Sequence, residues 1–130
     1  MSMPELTGSF PTELGLLSYL EDADLYYNSG IAGWLPTEVG WLTSITEDFD
    51  IEGCNVTGTI PTELGNLVNL TTLWLSDNKF HGNVPSELGR LVSSSRIDLE
   101  VRQLTFKYIH AMFILHHRFT FSFILQRKTI

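Results

Sequence analysis

Five carboxylates recur in two short clusters of this 130-residue chain: Asp22 and Asp24, then Asp48, Asp50 and Glu52. Side chains two apart on an extended segment share one face. Each cluster therefore presents its acids together, and several chemistries are open to such a set. Asp22, Asp24, Asp48 and Asp50 could gather Ca²⁺, which takes six to eight oxygens, but a flat strand surface holds ligands apart rather than wrapping them. A carboxylate pair could serve glycoside hydrolysis, yet no pocket walls or substrate-binding loops accompany it. A basic peptide could dock there, steered by charge and anchored on the aromatic side chains of Trp74 and Tyr26. The plainest alternative is that solvated carboxylates keep the surface soluble.

Other reactive groups point less far. His110, His116 and His117 lie close in sequence but have no Cys or acid beside them to complete a metal set. Cys54 is the single cysteine. It can form no intramolecular disulfide, and with no nearby His or Lys to activate it, it reads as a buried structural thiol. No phosphate loop, kinase signature, G-x-S-x-G or H-E-x-x-H motif occurs. No catalytic residue, metal or cofactor is therefore expected. Residues 1–78 carry twelve acids and no Lys or Arg. That acidic body disfavours nucleic acid, which is bound through clustered cations.

The elements that must position the carboxylates are set by a repeated word. Pro11-Thr12-Glu13-Leu14-Gly15 recurs as Pro36 to Gly40, Pro61 to Gly65 and Pro85 to Gly89, with spacings of 25, 25 and 24 residues. A glycine stands three residues before each proline and an apolar residue stands one before. Self-similarity at such a period is the mark of a stacked repeat fold. The best-formed unit runs from Leu67 to Pro85. Leu73-Trp74-Leu75 alternates in, out, in, as a short strand does. Asn78 turns the chain, with a side chain able to satisfy backbone groups at the bend. Val84 points inward, Pro85 opens a turn, and Ser86-Glu87-Leu88-Gly89 makes a short helical segment. The two earlier units each hold one extra residue, one after Asn28 and one before Phe49. A fourth strand at Ile97-Asp98-Leu99 is degenerate, with Ser94 in a leucine slot and Arg102 in the asparagine slot.

Leu70, Leu73, Leu75, Asn78 and Phe80 fit L-x-x-L-x-L-x-x-N-x-L. With Gly82, Val84-Pro85 and Leu88-Gly89 following, the unit resembles the plant-type leucine-rich repeat. That type is widespread in the ectodomains of receptor-like kinases and receptor-like proteins, and occurs in some inhibitor proteins. The resemblance covers about residues 6–104. It implies an α/β repeat solenoid: a short horseshoe with short parallel strands on its concave face and turns or short helical segments on its convex face. Asn28, Cys54 and Asn78 would be its structural turn positions, Cys54 being a substitute the family permits. The chain divides into a solenoid over 1–104, with first and last repeats incomplete, and a hydrophobic, basic tail over 105–130.

In that fold the outward strand residues align across the concave face. The expected rows are Asp22, Asp48, Thr72 and Arg96; Asp24, Asp50, Trp74 and Asp98; and Tyr26, Glu52, Ser76 and Glu100. The ligand-binding set is drawn from them: Asp22, Asp24, Tyr26, Asp48, Asp50, Glu52, Thr72, Trp74 and Ser76. Like charges on adjacent strands destabilise, and a tolerated cost of that kind points to a use. The reading is a non-catalytic scaffold that binds a protein or peptide, of basic character, through an acidic concave face; the alternative is a fragment of a receptor-like ectodomain in signalling.

The tail is the open part. Its segment 108–125 is apolar, but Arg118 would cost about 2.5–3.5 kcal/mol at a bilayer centre against about 0.3–0.6 returned by each Phe, Ile or Leu. A cover for the last repeat is therefore preferred to a membrane span, and a read-through segment without a role is its rival. Phe119 to Phe123 alternates like a strand, whereas Ile109, Met112, Phe113 and His116 fit one helical face. The first five residues lack the basic start and apolar core of a signal peptide, so the compartment stays open. It would be the cell surface or a membrane if the chain is a piece of a receptor-like protein. The Asn55 and Asn69 sequons matter only there.

Overall fold

The computed structural model describes residues 5–99 in full and the backbone of two later strands, 103–105 and 120–121. Among the described residues ten strands run in chain order: β1 Thr7–Ser9, β2 Ala23–Asp24, β3 Gly30–Trp34, β4 Asp48–Asp50, β5 Asn55–Gly58, β6 Thr72–Trp74, β7 Lys79–Asn83, β8 Arg96–Asp98, β9 Gln103–Thr105 and β10 Thr120–Phe121. They form two five-stranded sheets ordered β2-β4-β6-β8-β10 and β1-β3-β5-β7-β9. All pairings are parallel. Each coil thus contributes one strand to each sheet, and the expected solenoid is what forms.

The first sheet follows the expected register: Asp48 opposite Thr72, Asp24 opposite Asp50 and Asp50 opposite Trp74. Trp74 lies opposite Asp98 in turn. The second sheet was not expected. Segments such as Asn55-Val56-Thr57-Gly58 carry only one buried apolar residue, too weak an alternation to separate from a turn. Neighbouring coils supply what the side chains do not, because the backbone groups pair from coil to coil.

Four 3-10 turns occupy the repeated word: Thr12–Leu16, Thr37–Trp41, Thr62–Asn66 and Ser86–Arg90, each entered from an extended proline. The final glycine of the word is required by stacking. A Cβ on Gly15 would stand 2.6 Å from the Glu38 carbonyl oxygen, and one on Gly40 2.7 Å from that of Glu63. On Gly65 it would lie 2.3 Å from the oxygen of Glu87. The glycine of one coil thus sits against the glutamate of the next, and the word sets how closely coils approach.

Equivalent apolar positions stack into ladders inside. Val39, Leu64 and Leu88 form one, Leu42, Leu67 and Leu91 another, and Ile51, Leu75 and Leu99 a third, all buried. Small Ala23 lies opposite bulky Phe49, which offsets the lost volume. Ser94 occupies its leucine slot buried, donating its hydroxyl to the Leu70 carbonyl at 2.7 Å. That bond is why a polar residue is tolerated there. On the first coil Leu6, Leu16 and Leu17 remain exposed.

The turn positions are satisfied from within the stack. Asn78 Nδ2 donates to the carbonyls of Ile51, Leu75 and Ser76 at 2.8, 3.2 and 3.1 Å, and its Oδ1 accepts from Val56 N–H at 3.1 Å. Asn28 acts likewise two coils earlier, donating to the Leu25 carbonyl and accepting from Leu6 N–H. Cys54 is buried between them, its Sγ 3.3 Å from the Leu25 carbonyl. Burial pushes its thiol up, against a hydrogen bond at Asn28 that lowers it.

β10 pairs with β8, Thr120 opposite Arg96 and Phe121 opposite Ile97. Glu100, Arg102, the helical face through Ile109 and His116, and the candidate membrane segment apart from Thr120–Phe121 lie outside the described residues. Among the described residues no helix is long and apolar enough to cross a membrane.

Gly65 is not in a left-handed conformation, so its replacement by Ala tests contact alone. Gly65→Ala is expected to lower stability by about 1–3 kcal/mol, the usual cost of overpacking, in urea unfolding. A relaxed helical site would instead gain about 0.4–1 kcal/mol, so the sign of the change decides whether the close approach is real.

Candidate functional site

The outward face of the first sheet is positioned entirely by the ladder. Backbone bonds run on past the strand ends. Leu25 N–H donates to Asp50 at 2.8 Å, Ile51 N–H to Trp74 at 3.1 Å, and Leu75 N–H to Asp98 at 2.9 Å. Adjacent coils therefore hold their outward side chains about 4.8 Å apart. The middle row reads Asp24, Asp50, Trp74 and Asp98 across four strands.

In the first row, Thr72 Oγ1 donates to Asp48 Oδ1, so this carboxylate has a neutral partner on the next coil. Asp22 directly precedes β2 and is exposed. Asp50 Oδ1 accepts from Glu52 N–H at 2.9 Å, which fixes its side chain. Beyond the strand ends the face turns aromatic. Tyr27 OH donates to Glu52 Oε1 at 3.2 Å, and Tyr26 meets the Tyr27 ring edge-on at a centroid distance of 5.6 Å.

Two expected site residues are placed differently. Ser76 was assigned to the outward third row, but it is buried. It lies past the end of β6 where the chain bends toward Asn78, and its carbonyl accepts from Gly53 N–H and from Asn78 Nδ2. It offers no side-chain surface to a ligand. Trp74 was expected as an open aromatic. Its indole is instead half-buried, with the Arg96 guanidinium carbon 4.0 Å from the ring centroid. Arg96 also approaches Asp98 with Nη2 to Oδ2 at 3.4 Å, and Asp98 is buried.

Sequence reasoning passed over Tyr27 and the bond it makes. Tyr27 has a positive φ of 54°, and a Cβ on Gly53 would fall 2.3 Å from the Tyr27 ring. The signal was the glycine one coil on, which leaves room for the ring. Trp34 on β3 and Trp41 are largely exposed away from the candidate rows.

Burial and charge crowding together act on two carboxyls. Asp24 is raised above the ordinary 3.8, first by burial and then by Asp22 and Asp48. Asp50 is raised by burial and by Glu52, Asp24 and Asp48, against the Glu52 N–H bond that lowers it. The Glu52 charge raises the Tyr27 phenol. Among the described residues no group of three or more His, Cys, Asp or Glu side chains could hold a metal ion. The arrangement can neutralise and orient cations along a row.

Comparison with known proteins agrees with the geometry. Residues 46–67 and 69–91 each match the Leucine Rich Repeat family model. No curated protein matches the chain. Solved structures do. The ectodomain of the receptor kinase SOBIR1 from Arabidopsis thaliana is 25% identical with a TM-score of 0.71, over 90% of this chain and 62% of that one. That of the membrane receptor kinase GASSHO1/SCHENGEN3 from the same plant, solved with Casparian strip integrity factor 2, is 29% identical with a TM-score of 0.70, over 78% and 12%. HAESA, also from Arabidopsis and solved with an extended IDA peptide hormone, is 29% identical with a TM-score of 0.69, over 78% and 17%. The chain spans less than two thirds of each of these ectodomains. The matched coils are leucine-rich repeats, and the chain is similar in fold to plant receptor-kinase ectodomains built of them.

The raised values of Asp24 and Asp50 fix the sign of a pH effect. Folding favours their uncharged forms, so the stability linked to them is fully present below 3.8 and is lost as pH rises through the raised folded values. The double variant Asp24→Asn/Asp50→Asn should melt above the parent at neutral pH. The gap should close toward about pH 4 and shrink in about 1 M NaCl, where the Debye length is about 3 Å. A parent equally stable at neutral pH in low salt contradicts the crowding.

Proposed function

We propose that this protein is a non-catalytic recognition scaffold whose outward strand face binds a basic protein or peptide segment. The observation that carries the reading is the aligned row Asp24, Asp50, Trp74 and Asp98. It sets the Asp24 and Asp50 carboxylates at strand spacing beside the Trp74 ring, with buried Asp98 beyond it, along a line that an extended chain can follow. Asp22, Asp48, Glu52 and Thr72 widen the row, and Tyr26 closes its aromatic end. Crowded carboxylates are relieved by an incoming cation, so binding recovers part of a cost the free protein carries.

The neighbours favour the same use. HAESA was solved with a peptide hormone and GASSHO1/SCHENGEN3 with Casparian strip integrity factor 2, and both are receptor-kinase ectodomains. Their likeness to this chain supports a second, compatible reading: the coils belong to a receptor-type ectodomain facing the cell exterior.

The test is fluorescence anisotropy of a labelled lysine- and arginine-rich peptide, with a glutamate-rich peptide as control. The basic peptide should bind, and binding should weaken steeply with salt. Asp24→Lys, Asp50→Lys and Trp74→Ala combined should weaken it at least about tenfold, the equivalent of roughly 1.4 kcal/mol. Unchanged affinity in a folded triple variant would remove the strand face as the binding surface.

A further inference from the structure

Resting on the proposed peptide-binding face, we infer that Trp74, with Asp50 and Asp98 on either side, is a subsite for an arginine side chain of the ligand, and that Arg96 is an internal occupant which the ligand's arginine displaces. The register supplies the frame. Asp50, Trp74 and Asp98 lie opposite one another on β4, β6 and β8. The indole is thus flanked on both neighbouring strands by a carboxylate, at about 4.8 Å per strand.

The chemistry of the subsite is displayed by its present occupant. The Arg96 guanidinium stands over the Trp74 ring at 4.0 Å and reaches the Asp98 carboxylate. A planar guanidinium can stack on an indole and bond a carboxylate at its edge at the same time, whereas a compact ammonium stacks less well. The hold on Arg96 is modest. Its contact to Asp98 is 3.4 Å, long for a charge-assisted bond of about 2.7–2.9 Å, and its side chain is 44% exposed. An exposed stack of this kind is weak enough to open.

The two flanks of the ring differ. Arg96 engages the Asp98 side. On the Asp50 side lie Asp24, Asp48 and Glu52, in a part of the chain, residues 1–78, that has no Lys or Arg at all. A ligand arginine laid on the ring could bond Asp50 where Arg96 does not, and would bring positive charge to the more crowded side. Exchange of one guanidinium for another costs little desolvation, since the indole face is covered before and after. Arg96 thereby acts as a selectivity filter: cations that cannot stack do not replace it.

The experiment compares two short peptides, arginine alternating with glycine and lysine alternating with glycine, on the parent and on Arg96→Ala and Arg96→Gln, by anisotropy. Each variant is checked for folding by its melting curve. Removing Arg96 also makes the face more negative, which strengthens both peptides alike. The subsite adds a gain for arginine alone. We expect Arg96→Ala and Arg96→Gln to bind the arginine peptide about fivefold to tenfold more tightly, and the lysine peptide less than about twofold. Trp74→Ala should abolish the preference for arginine. Equal gains for both peptides, or no gain, overturn the subsite while leaving the peptide-binding face standing. Binding of neither peptide to any of the proteins overturns both.

Discussion

Everything in this molecule depends on one spacing, the distance at which a coil can lie on the coil before it. Two parallel ladders fix that distance from the hydrogen-bond side. The glycine that ends each of the first three words, Gly15, Gly40 and Gly65, permits it on the opposite side, where it rests against the next glutamate's carbonyl. Asn28 and Asn78 complete the set by tying each bend to the coils around it. A repeat of this kind cannot bury its apolar edge alone, so its stability is shared between neighbours. The leucine ladders provide that shared burial, and the polar groups decide the geometry in which it happens.

The same spacing dictates the character of the strand face. Because the ladder allows no slippage, Asp24 is held opposite Asp50, and Asp48 in the adjacent row. The chain answers the crowding in local ways: a Thr72 hydroxyl on Asp48, a backbone N–H on Asp50, a Tyr27 hydroxyl on Glu52. Among the described residues a cation reaches the face at the fourth strand, where Arg96 bridges Trp74 and Asp98. The face is thus graded along the solenoid axis, from carboxylates held by neutral donors to a carboxylate held by a guanidinium. A cationic ligand would be drawn to the first part and would compete at the last.

Much of the fold was legible in the sequence because periodicity is a strong signal. The four copies of the word gave the coil number, and the L-x-x-L-x-L pattern placed Leu70, Leu73 and Leu75 inward. The strand register followed from aligning the copies, even with one extra residue in each of two units. Three features were not legible, each for a physical reason. The second sheet is held by backbone pairing between coils, which leaves little mark on side-chain type. Ser76 obeys the period-two rule in sequence but lies where the chain has left the strand, so alternation no longer predicts its direction. The cover on Trp74 depends on the rotamer of Arg96, a residue 22 positions away, which no local pattern encodes. The glycine of the repeated word was visible as a residue, but its reason became clear only when the next coil was in place.

The central claim is that the strand face, and not the turns or the exposed first coil, is the recognition surface. Backbone amide NMR spectra of the isotopically labelled protein, titrated with an arginine-containing basic peptide, test it most directly. The account predicts that shifts cluster at residues 22–26, 48–52, 72–74 and 96–98, leaving the 3-10 turns unmoved. Shifts concentrated at residues 12–17, 37–41 or 62–66, with the strand rows silent, would contradict it.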